Sequence, residues 1–109
     1  MRLPNHNNAL LPLEKVRDYL LSDSHPIGRY KAAVFRSLGY ESRDSEVLAQ
    51  DLRKLLIFDA AEVGTSEFGT KYAIRGTIRG PNGKRGDIVS IWIVRNDEDF
   101  PRFVTAYPE

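Results

Sequence analysis

The sequence predicts an α+β domain in which two to three N-terminal helices pack on a three- to four-stranded antiparallel meander. Three observations point there. Apolar residues recur at helical spacing up to about residue 58, and the period changes to two after Ala60. The turn signals "GPNG" and "NDED" then separate strand-like runs closely enough for hairpins. Helices followed by strands on short turns is the order of a two-layer α+β fold.

The elements follow in chain order within one domain, residues 1–109: an arm (1–12), a helical half (13–58) and a sheet (60–108). Pro12 suits a first helical position, and Leu13, Val16 and Leu20 make a stripe through "LEKVRDYLL". His25 precedes a proline and is biased away from helical dihedrals, so the second helix is expected from about Pro26 to Leu38, with Gly39 as its stop. Asp44 is the expected N-cap of a third helix carrying Leu48, Leu52, Leu55 and Leu56 at i, i+4, i+7 and i+8.

In the sheet half, "AEVGTSEFG" offers a strand running into a Gly-rich turn, and "KYAIRGTIRG" alternates cleanly. "DIVSIWIV" is apolar on both faces, the pattern of a central strand, and "FPRFVTAYP" is the last strand. With Pro81, Asn82 and Gly83 as the loop, Gly80 faces Lys84, Tyr72 faces Trp92 and Ile74 faces Ser90. The second hairpin, closed about Asp97 and Glu98, sets position 102 opposite Ile93. A regular last strand then puts Thr105 and Tyr107 on the face of Tyr72, Ile74, Ser90, Trp92 and Phe103. Lys71, Arg75, Arg79, Arg95 and Arg102 take the other face, and a one-residue slip would exchange the two sets.

Composition narrows the function. The chain has no cysteine and two well-separated histidines, which excludes thiolate chemistry and leaves no recognisable metal site. No signal-peptide pattern or membrane-length apolar run is present, so a soluble, cytoplasmic protein is expected. "GPNGKRG" sits in a hairpin rather than between strand and helix, so it is no phosphate loop, and no cofactor is implied. The net charge is +1, but its distribution is uneven. Residues 68–86 hold five basic residues and no acid, whereas residues 41–67 hold seven acids against Arg43, Arg53 and Lys54. One part of the molecule is therefore suited to a polyanion, although a solvated sheet face has the same pattern.

The stretch "SHPIGRYKAAVF" carries the chemistry. Arg29 and Lys31 fall near a helix N-terminus, where the helix dipole disfavours cations, and Lys31 sits at 100° per residue among Ile27, Val34 and Phe35. A phosphate held by the free N–H groups, Arg29 and Lys31 would account for both; a snorkelling lysine accounts for the second alone. His25 could serve as acid or base beside such a site, while His6 lies in a polar arm and reads as a surface residue. Thr105 and Tyr107, beside Trp92 and Tyr72, would make a surface for stacking a base and bonding a phosphate or ribose. The ordinary reading is that Thr and Tyr favour strands and a Trp belongs to the core.

"HPIGRYKAAVF", "GTIRGPNGKRG", "VSIWIVRN" and "PRFVTAYP" together resemble a small bacterial domain family of unknown function, found alone and as a C-terminal module of toxin-like or phage-associated proteins. The resemblance spans about Leu13 to Pro108. The order of helices and sheet is also similar to the ribonuclease toxins that include RelE, colicin-type and EndoU-like nucleases. What this resemblance implies is a metal-independent endoribonuclease acting on RNA, with a cognate antitoxin or immunity protein as partner. His25, Lys31 and Tyr107 would be catalytic, and Arg29, Arg102, Thr105, Trp92 and Arg75 would hold phosphate or RNA. A non-catalytic nucleic-acid-binding module and a protein-interaction domain (antitoxin, immunity protein or phage-associated adaptor) are the rival readings.

Overall fold

The helical stripes and the alternating strands pack against each other in the computed structural model, which describes the backbone of residues 1–21 and 29–109 and, within it, all side chains except those of residues 19, 20 and 29–31. His25 and the expected helix start at Pro26 lie outside the described residues. A short α1 (Leu13–Lys15) runs directly into a π-helical segment, Val16–Leu20. Pro12 stands one position before α1 with extended dihedrals, as its cap rather than its first residue. Of the first stripe, Val16 is fully buried and Leu13 is exposed.

Helix α2 (Arg29–Ser37) buries Ala32 and Phe35, and Leu38 just beyond its end, with Val34 half-buried at the margin. Helix α3 (Ser45–Lys54) continues through a 3-10 turn at Leu55–Ile57, and Leu48, Leu52, Leu55 and Leu56 are all buried, as their spacing requires. Asp44 does not cap α3 with its side chain. Its carboxylate accepts from the Glu41 N–H at 2.8 Å and closes a capping box around the 3-10 turn Ser42–Asp44.

Four strands, β1 (Ala60–Ser66), β2 (Gly69–Arg79), β3 (Arg85–Arg95) and β4 (Pro101–Pro108), form an antiparallel meander in sequence order. The β2–β3 register is the expected one: Gly80 N–H donates to Lys84 O at 2.8 Å, Tyr72 pairs with Trp92 and Ile74 with Ser90. Arg102 pairs with Ile93 as expected, but the β3–β4 register then shifts. Phe103 opposes Trp92 and Thr105 opposes Ile91, which leaves Val104 as an extra residue in a β-bulge.

The bulge corrects the face assignment. Beyond it, Ala106 takes the helix-facing side and is fully buried, while Thr105 and Tyr107 turn to the outer face, away from Trp92. The inner face is the core. Trp92 is fully buried, stacks edge-on against Phe103 with 5.2 Å between ring centroids, and donates its indole N–H to Ser90 Oγ at 2.9 Å. It therefore offers no surface on which a base could stack.

The first twelve residues are part of the structure. Leu3, Ala9 and Leu11 join the core, and along the free edge of β4 the Leu10 N–H donates to Pro101 O while Leu10 O accepts from the Phe103 N–H, both at 2.9 Å. Arg53 locks this arm to α3 through a 2.8 Å bond to Ala9 O, and His6 Nδ1 lies 3.3 Å from Leu3 O in a local turn.

Candidate nucleic-acid interface

Strand alternation and the Val104 bulge together set three rows across β2, β3 and β4 on the outer face: Lys71–Ile93–Arg102, Ala73–Ile91–Thr105 and Arg75–Val89–Tyr107. Arg75, Arg102, Thr105 and Tyr107 thus meet on one surface, with Lys71 and Arg95 beside them. Thr105 is half-buried and Tyr107 exposed. Arg29 and Lys31 lie in the first turn of α2, a helix that packs against β4. The outer face does not include Trp92.

The cations on this face are not equivalent. Arg75 Nε donates to Glu109 Oε1 at 2.7 Å, an ion pair that spans the central strand above the buried Val89. Arg102 meets Glu98 with both ends of its guanidinium, Nε to Oε1 at 2.7 Å and Nη2 to Oε2 at 2.5 Å, while its Cζ lies 5.4 Å from the Phe100 ring centre. These bonds from Arg102, reinforced by its charge and that of Arg95, hold the Glu98 carboxyl below the ordinary carboxylate range. A phosphate at Arg75 or Arg102 must therefore displace a carboxylate first. Lys71 and Arg95 have no ion pair among the described residues.

Lys71 and Arg95 line a groove of about 860 Å³ between the β1–β2 and β3–β4 turns, together with Phe68, Ile93, Glu67, Asn96, Asp97 and Ser66. A second groove of about 310 Å³ continues from it along β4, sharing Ile93 and Arg95 and adding Lys15, Arg102 and Val104. The two turns that frame the first groove are tied together. Asn96 Nδ2 donates to Glu67 O at 2.7 Å and its N–H to Phe68 O at 3.2 Å, while Phe68 N–H donates to Ser66 Oγ at 3.2 Å. Phe68 is the most exposed large hydrophobic side chain among those described, at 67%. Sequence reasoning overlooked it because a phenylalanine in a turn breaks no periodicity; its position next to a glycine, in a stretch already read as a turn, was the available signal.

Among the described residues no cluster of His, Cys, Asp or Glu is arranged to hold a metal ion, and no helix is long and apolar enough to cross a membrane. The phenol of Tyr40 is pushed well above its ordinary value by burial and by Asp51, whose carboxylate accepts its hydrogen bond. That pair ties the α2–α3 connection to α3 and lies in the helical layer, away from the outer face.

No curated protein matches the chain. Among solved structures, it is similar to a chain of a contact-dependent growth inhibition toxin–immunity protein complex from Klebsiella pneumoniae 342. The two are 22% identical, the match covers 95% of this chain and 96% of that one, and the TM-score is 0.70. At that identity the likeness establishes a common fold, which by itself assigns no activity. Over residues 2–109 the sequence matches a domain family of unknown function, DUF6883, and the chain belongs to that family.

Proposed function

We propose that the chain is a toxin-related, metal-independent endoribonuclease that works in the cytoplasm and is restrained by a cognate immunity protein or antitoxin. The observation that carries this reading is the outer face, where the Val104 bulge sets Thr105 and Tyr107 among Lys71, Arg75, Arg95 and Arg102. Cations and hydroxyls on one open face suit a phosphodiester backbone. The fold shared with a chain of a toxin–immunity complex supports the toxin context.

In this reading the ribose 2′-hydroxyl attacks the adjacent phosphorus and the bond to the 5′-oxygen breaks, giving a 2′,3′-cyclic phosphate and a free 5′-hydroxyl. The 2′ proton passes to a base and the leaving oxygen takes a proton from an acid. His25 fills one of these roles, Tyr107 or Lys31 the other, and Lys31 and Arg29 stabilise the charge that develops on the phosphorane. Thr105 and Tyr107 orient the scissile group. Trp92, enclosed in the core, has no place in this reading.

Cleavage of total RNA by the purified chain in the presence of a chelator tests it. The wild type is expected to release 2′,3′-cyclic phosphate ends, and His25→Ala and Lys31→Ala to lose about 100-fold or more of that rate. An inert wild type, or variants that cut as well as it does, overturns the proposal. Expression in a bacterial host separates the readings within the toxin–immunity context: a toxin arrests growth, and an immunity protein does not.

A further inference from the structure

We infer that the groove beneath Phe68 is a subsite for one unstacked nucleotide of single-stranded RNA, and that it favours bases carrying an exocyclic amine over uracil. This rests on the reading of the outer face as an RNA surface, but its chemistry is separate from cleavage. Phe68 projects from a turn pinned at three points, by Ser66 Oγ, Asn96 N–H and Asn96 Nδ2, so its ring is displayed at little further conformational cost. An exposed aromatic ring on a pinned backbone is the platform that single-strand binders use to stack a base, and Ile93 supplies apolar floor beside it.

The charges of the groove fit a nucleotide better than a bare polyanion. Lys71 and Arg95 line the groove with no described carboxylate paired to either, and they suit the phosphates on either side of a stacked base. Glu67 and Asp97 also line the groove, and they would repel a phosphate. A carboxylate accepts from the exocyclic amine of adenine, cytosine or guanine, whereas uracil carries carbonyl oxygens at its exocyclic positions and offers only its ring N3–H. A subsite with an aromatic ring, two cations and two carboxylates therefore matches a base and its phosphates together. The volume of about 860 Å³ exceeds what one nucleotide needs and leaves room for its neighbours along the strand.

Fluorescence anisotropy of the full chain with labelled 2′-O-methyl hexamers of A, C and U tests this without cleavage, because the blocked 2′ oxygen cannot attack. The wild type is expected to bind A and C hexamers more tightly than U at low salt. Phe68→Ala should weaken binding about 5- to 100-fold, the range for losing one stacked base, while Phe68→Tyr should retain it. Glu67→Gln combined with Asp97→Asn should remove the preference over U. Unchanged affinity in Phe68→Ala, or no binding of any hexamer by the wild type, overturns the subsite. Binding that depends on Phe68 in a chain that cuts no RNA upholds the subsite and overturns the nuclease. Cleavage by a chain whose Phe68→Ala variant binds like wild type does the reverse.

Discussion

Ser90 shows how one hydroxyl holds two neighbours deep in the core. It is fully buried, donates to Ile74 O at 3.3 Å across the β2–β3 pair, and accepts from the Trp92 indole at 2.9 Å. Removing it strands the indole N–H inside the core, and an unsatisfied buried donor costs about 1–3 kcal/mol. Ser90→Ala should therefore lower the urea midpoint of unfolding with little change in the denaturant slope, followed through the fluorescence of Trp92, the one tryptophan of the chain. A midpoint equal to wild type would mean that the indole finds another acceptor. The burial of Trp92 was legible from base rates, since most tryptophans belong to the core. A strand of unbroken alternation sets Thr105 and Tyr107 beside it and suggests a stacking surface, which the extra residue Val104 abolishes. Phe68 went unnoticed for the opposite reason: exposure and a pinned turn are properties of the folded chain, and no spacing announces them.

At the scale of elements, the β2–β3 turn does a second task beyond reversing the chain. Asn82 N–H donates to Leu38 O at 3.3 Å and its Nδ2 to Ser37 O at 3.0 Å, so the turn satisfies carbonyls at the C-terminus of α2. Gly80 makes this approach possible, because a Cβ there would run into the Leu38 carbonyl. Gly80→Ala must push helix and hairpin apart, and a loss of about 1–3 kcal/mol or more is expected in thermal or urea unfolding. A variant as stable as wild type would show that the contact yields without cost. The hairpin and its register could be read from Gly80 to Lys84, since turn chemistry fixes pairing locally. The Val104 bulge could not. Valine in a strand is ordinary, and the extra residue is placed by two demands beyond the local sequence: Phe103 must face Trp92, and Ala106 must be buried in the core beneath the helices. That single unpaired residue decides which face Thr105 and Tyr107 occupy. Helix α3 presents no such conflict, because its leucine spacing and its packing demand the same face.

Over the whole molecule, the near-neutral net charge conceals a division of labour among the cations, and their partners decide which of them act. Arg75 and Arg102 look like the strongest phosphate ligands in the sequence, yet Glu109 and Glu98 already occupy them. Displacing a hydrogen-bonded carboxylate offsets most of what a phosphate would gain, whereas Lys71 and Arg95 exchange only water and counterions. If Lys71, Arg95 and one further cation each neutralise a phosphate, log Kobs for a single-stranded oligonucleotide should fall against log[salt] with a slope of about −2, at roughly −0.7 per contact. Lys71→Ala together with Arg95→Ala should flatten that slope to about −0.7, while Arg75→Ala should leave it nearly unchanged. The comparison separates the face as a whole from its occupied parts. Equal flattening by all three substitutions would mean that the carboxylate pairs open freely and every outer-face arginine contributes. A slope near zero in the wild type would remove nucleic acid from the outer face altogether, and the exposed Phe68 and the grooves beside it would then have to be explained by a protein surface.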